Sequence, residues 1–185
     1  MERGTFRPTV VTWEDMLDEP VHPGVDPAFY KQFILAEGDS WFTLGGIPTS
    51  NLLWSMRFHQ RTMIVNCGNP GDTIKHMSDI EGNHNFRQAL ADKDIQWNLV
   101  LLSGGGNDLI DHAKDIIKTK GERGMDRPQN VEEYCHQDVL NKLITSIQNS
   151  YKNIFAPGER CLFGPGQWSA AGLPWGNPWR THGQG

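Results

Sequence analysis

Apolar residues gather in three short runs along the chain, and each run gives way to a glycine-rich polar stretch. Phe33-Ile34-Leu35-Ala36 passes through Glu37 to Gly38-Asp39-Ser40-Trp41, and Ile64-Val65-Asn66-Cys67 leads to Gly68-Asn69-Pro70-Gly71-Asp72-Thr73. Asn98-Leu99-Val100-Leu101-Leu102-Ser103 leads to Gly104-Gly105-Gly106-Asn107-Asp108. Runs this short and this apolar suit strands of a parallel sheet covered on both faces. The third, taken from Ile95 to Ser103, reads as a central strand buried on both sides. Between the runs the apolar spacing becomes helical. Thr49 or Ser50 can cap a helix from Asn51 to Gln60 built on Leu52, Leu53 and Met56, which crosses over to a strand at Thr62 to Asn66. Helical pieces are expected from Asp72 through Met77 and from Asn85 to Asp92, with a break at Glu81-Gly82-Asn83-His84. Asp108 to Lys118 reads as a helix and Gly121 to Gln129 as a polar loop. The longest helix is expected from Val131 to Ile154, where Leu140, Leu143, Ile144, Ile147, Tyr151 and Ile154 form one core-facing stripe.

Strands alternating with helices imply an α/β fold, a three-layer α/β/α sandwich around a parallel sheet. A right-handed crossover sets consecutive strand ends on one rim, so Ser40 and Gly71 should lie close in space. That rim is where open α/β sheets bind ligands. The domain spans residues 31–155. Residues 1–30, rich in Pro, Asp and Glu, read as an extension packed on the domain or over its rim, with a short helix begun by Thr12 and Trp13 as a buried aromatic. Residues 156–185 are crowded with Gly, Pro and Trp and show neither strand nor amphipathic helix. Either that tail is a native irregular extension, or the chain leaves its proper frame or is cut short there; composition favours the second.

With 185 residues the chain suits one domain, and a net charge of -5 offers no footprint for nucleic acid or an anionic membrane. No apolar stretch follows Met1-Glu2-Arg3 as in a secretory leader, and none reaches transmembrane length, so a cytoplasmic protein is expected unless the true start lies elsewhere. The three cysteines, Cys67, Cys135 and Cys161, are odd in number and scattered, which suits neither a disulfide framework nor a zinc site.

Strand then Gly-Asp-Ser, strand then Gly-Asp-Thr, strand then Gly-Gly-Asn-Asp: from about Phe33 to Asp108 this order resembles the SGNH hydrolases, also called the GDSL esterase/lipase family, in their thioesterase and arylesterase-like branch. The resemblance implies a flavodoxin-like sheet and hydrolysis of a small-molecule ester or acyl substrate through an acyl-enzyme. It implies no metal and no organic cofactor. It assigns Ser40 as nucleophile and first oxyanion donor through its own N–H, the Gly71 N–H as second donor, and the Asn107 side-chain amide as third. The chemistry agrees, because glycine lets backbone approach a substrate and Asn carries an NH₂ that neighbouring Asp108 lacks. Singly, each residue has a plainer reading: Gly-Asp-Ser as a turn or cap, Gly71 as a turn after Pro70, Asn107 as a helix cap. Asp39 and Asp72 read as structural acceptors of backbone N–H groups.

The family's fourth motif, Asp-x-x-His, which supplies the base, is not found. Glu19-x-x-His22, Glu81-x-x-His84 and Glu133-x-x-His136 have similar spacing in the wrong places, and Asp111-His112 lies on a helix leading away from the rim. His182, the only histidine in the tail, has Trp179 three positions before it and is a candidate base without a carboxylate partner. The alternative is therefore a catalytically incomplete relative or fragment that binds an acyl or glycan ligand. A nucleotide-binding module is disfavoured, since Leu109 occupies the place of the third glycine in the dinucleotide fingerprint. His76, Glu81 and His84 read as solvated residues rather than metal ligands. Substrate choice would lie in loops 43–50 and 109–129, and neither the ester nor the oligomeric state is written in the sequence.

Overall fold

The computed structural model describes residues 4–17, 26–43, 51–79, 81–123 and 130–154. The chain divides into Met1–Phe155 and Ala156–Gly185. The second unit, and with it His182 and the expectations about the tail, lies outside the described residues. In the first unit β1 (Thr9–Thr12), β2 (Gln32–Gly38), β3 (Thr62–Asn66) and β4 (Leu99–Ser103) form an all-parallel sheet of four strands in the order β1-β3-β2-β4. The architecture is α/β. In register, Ile34 stands beside Ile64 on one side and Leu99 on the other, and Gly38 beside Ser103.

Alternation along the strands sorts their side chains onto two faces. Ile34, Ala36 and Ile64 pack with Phe42 and Leu53 into one cluster, with α2 (Leu52–Ser55) contributing Leu53. Leu35 and Glu37 therefore point the other way, toward α3 (Ile74–Ser78) and α4 (His84–Ala91), which pack against β2. Ile74, Met77, Phe86 and Ala89 supply the apolar surface there and are buried.

Several elements differ from expectation, each for a local reason. The N-terminal segment is more than a covering extension, because Val10 and Val11 take places in the sheet beside Ile64 and Val65. Thr12 then caps α1 (Trp13–Leu17): Asp15 N–H donates to Thr12 Oγ1 at 3.1 Å and Thr12 N–H to Asp15 Oδ2 at 2.9 Å. The helix expected from Asn51 to Gln60 stops after one turn. Phe58 instead exchanges backbone hydrogen bonds with Phe6, at 2.8 and 3.0 Å. The helix expected over 108–118 breaks at His112 into α5 (Gly106–Asp111) and α6 (Ala113–Ile116), where the His112 ring nitrogen Nδ1 donates to Asp108 O at 2.8 Å. The long helix begins late, as α7 (Gln137–Ile154), because Cys135 bridges to Ile117 and His136 N–H donates to Ile116 O at 2.7 Å. Finally, β4 is not central: among the described residues it forms the outer edge of the sheet, and Leu99 is 37% exposed.

Candidate active site

The first turn exists because β2 ends in a residue without a side chain. A Cβ on Gly38 would lie 2.7 Å from Phe42 Cδ2 and 3.0 Å from Ser103 Cβ, and a Cβ on Gly68 would lie 2.5 Å from Gly38 O. Glycine at both positions lets the ends of β2, β3 and β4 meet. Backbone bonds then lock them: Asn69 N–H donates to Gly38 O at 2.9 Å and Asp39 N–H to Ser103 O at 3.1 Å. Asp39 is buried, and its Oδ1 accepts from Trp41 N–H and from Ser103 Oγ, both at 3.1 Å. Ser40 follows on the exposed side of this turn. Its carbonyl accepts from Thr43 Oγ1 at 3.3 Å, and its hydroxyl has no hydrogen-bond partner among the described residues.

The second turn runs Asn69-Pro70-Gly71-Asp72, closed by a bond from Asp72 N–H to Asn69 O at 3.3 Å. Proline in its second place and a glycine at φ +81° in its third make it a type II turn. Gly71 is exposed, and its N–H lies outside the closing bond. In the third turn, Gly105 at φ +98° precedes α5. A Cβ on Gly104 would come within 3.1 Å of Ile74 Cδ1 and Met77 Sδ. Asn107, in the first turn of α5, donates from Nδ2 to Asp72 O at 2.8 Å, while buried Asp108 accepts from Ile74 N–H through Oδ2 at 2.8 Å. These two bonds tie the third motif to the second. Helix α7 backs the arrangement, with Tyr151 Oη donating to Gly104 O at 3.0 Å.

Ser40, Gly71 and Asn107 thus sit on three interlocked turns at the carboxyl ends of β2, β3 and β4. The Asn107 amide spends one of its two N–H groups on Asp72 O and retains the other. No described imidazole joins Ser40: His112 is held by Asp108 O, and His136 Nε2 lies 3.6 Å from Glu122 Oε1. His76 Nδ1 lies 2.5 Å from Asp72 Oδ1. Among the described residues no group of His, Cys, Asp and Glu could hold a metal ion, and no helix is long and apolar enough to cross a membrane. Cys67 and Cys135 are free thiols; Cys161 lies outside the described residues. A concavity of about 270 Å³, lined by Arg7, Thr9, Arg61 and Thr62, lies at the other end of the sheet, where β1 and β3 begin, and shares no residue with the rim.

Reading the sequence for the three motifs missed Ser103, which carries Asp39, and it missed Glu37. Glu37 is wholly buried. Burial pushes its carboxyl up from 4.5 to about 8; the Asn83 amide opposes this, the nearby Asp72 charge adds to it by less, and the Gly38 N–H opposes it least. One cue was available: Glu37 shares parity with Leu35 and so must face the core.

No family model, no curated protein and no solved structure matches this chain. Geometry and chemistry alone bear on function. A hydroxyl at a strand end, backbone N–H groups and a fixed side-chain amide can surround a carbonyl carbon and the oxygen that becomes negative upon attack.

Proposed function

We propose that this chain is a serine hydrolase of the SGNH kind, with a flavodoxin-like sheet, cleaving a carboxylic ester or thioester of a small molecule through an acyl-enzyme on Ser40. The observation that carries this reading is the 2.8 Å bond from Asn107 Nδ2 to Asp72 O, which fixes the amide beside the Gly71 turn. Ser40 Oγ attacks the carbonyl carbon and gives up its proton to a base. The Ser40 and Gly71 N–H groups and the free Asn107 N–H receive the oxyanion. Collapse expels the alcohol or thiol, and water then attacks the acyl group by the same route. Removal of the Asn107 amide, as Asn107→Ala, is expected to cost roughly 10²–10³ in kcat. The base is the open part, and His182 is the candidate to mutate first.

The test is labelling by a fluorophosphonate, with the modified residue located by mass spectrometry. Rapid labelling at Ser40, lost in Ser40→Ala, supports the hydrolase. The engagement of His76, His112 and His136 with groups other than Ser40 favours a second reading, an incomplete relative that binds an acyl ligand without turning it over. A folded chain that is not labelled, yet is stabilised against heat by a fatty acid, would replace the first reading with the second.

A further inference from the structure

Below the rim lies a polar cluster that the hydrolase reading leaves unused. Glu37 points from β2 into the layer of α3 and α4, with no exposed surface. Around it stand Cys67 at the end of β3, Asp72 in the second turn and Asn83 ahead of α4. Four atoms there are removed from solvent and lack a hydrogen-bond partner among the described residues: Glu37 Oε1 and Oε2, Asp72 Oδ2 and Asn83 Nδ2. With Glu37 ionised this set holds three acceptors and a single amide as donor. One proton on Glu37 turns it into two donors facing two acceptors.

The charges on the surrounding elements make that proton easy to keep. Asp72 brings a second carboxylate, its Oδ1 already on His76. The Cys67 thiol is itself pushed upward, by burial first and then by Glu37 and Glu14. On α1, Glu14 is an exposed acid and Asp15 holds Thr12 N–H. The basic side chains of the covering helices, Lys75 and His76 on α3 and His84 and Arg87 on α4, are exposed.

We propose that Glu37 is a positioning residue that holds its proton at neutral pH: its O–H is directed to Asp72 Oδ2, directly or through one water, and its carbonyl oxygen takes the Asn83 amide. When the proton leaves, two carboxylates face each other, and the Gly71–Asp72 turn shifts together with the Asp72 carbonyl that anchors Asn107. The raised Glu37 carboxyl, near 8 rather than 4.5, agrees with this. The consequence for turnover, a fall in kcat at alkaline pH, rests on the hydrolase reading; the positioning itself does not.

Carbon-detected NMR of the Glu37 Cδ, Asp72 Cγ and Asn107 Cγ resonances, followed from acid to alkaline pH, tests it without any substrate. All three are expected to move together with a midpoint near 8. In Glu37→Gln, which imitates the protonated acid, the Asp72 and Asn107 resonances should stay still over that range. A Glu37 resonance titrating near its ordinary 4.5 would overturn the proposal, as would an Asn107 resonance indifferent to the Glu37 titration. The wild-type titration decides the matter even if the glutamine variant does not fold. If Ser40 proves active, hydrolysis of p-nitrophenyl acetate should show an alkaline fall in kcat that Glu37→Gln removes, with KM little changed.

Discussion

β3 and β4 flank the same strand and reach opposite ends of burial. β3, Thr-Met-Ile-Val-Asn, includes two polar residues and is buried at every position. β4, Leu-Val-Leu-Leu-Ser, is the more apolar of the two, yet its first residue is exposed and the other four only half-buried. β3 has β1 on its outer side, whereas β4 has no outer strand among the described residues. Apolar content therefore records how much covering a strand can use, and its neighbours decide how much it receives.

The contrast is steepest where the well-covered part of the sheet encloses an ionisable group. Glu37 binds its proton more tightly folded than unfolded, so the folded state carries the extra proton between 4.5 and about 8. Its contribution to stability should be greatest below that window, fall as pH rises through it, and level off above, by on the order of 5 kcal/mol in total. Urea unfolding at a series of pH values checks this, and the Glu37→Gln curve should be nearly flat. Next in size, Ile64→Ala in β3 is expected to cost about 2–5 kcal/mol, as for a fully buried aliphatic side chain. Leu101→Ala in β4 should cost only about 1 kcal/mol. Equal losses in the two strands, read from urea midpoints, would mean that the edge of β4 is covered in solution. At the exposed extreme, Ser40→Ala should leave stability within about 0.5 kcal/mol while abolishing fluorophosphonate labelling.

Much of the sheet could be read directly. Thr62 to Asn66 is the strand expected, and Phe33 to Gly38 falls within β2, because apolar runs closed by glycine leave little freedom in where a strand ends. The position of β4 could not be read, since an edge and a centre are distinguished by a partner and not by the strand's own residues. Helix lengths failed where a distant backbone competed: Phe6 for Phe58, and Ile117 for Cys135. At the rim, the three motifs placed Ser40, Gly71 and Asn107 in order, but besides the Asn107 bond to Asp72 O their mutual ties run through Ser103 and through Asp108, whose bond to Ile74 N–H spans 34 residues. Glu37 escaped notice because a single acid in an apolar run looks like an interruption until its parity is matched to that of Leu35.

The approach of Gly68 to Gly38 O also determines how this sequence can vary. The close neighbour is backbone, so no rotamer change elsewhere can make room for a side chain at position 68. At position 38 the Phe42 ring could turn aside, but Ser103 Cβ and O, both at 3.0 Å from an added Cβ, would remain. In a library randomised at both codons, selection for a folded product should return glycine at 68 almost without exception and at 38 nearly as often. Gly71, with open space around it and only its φ to satisfy, should admit asparagine and aspartate as well.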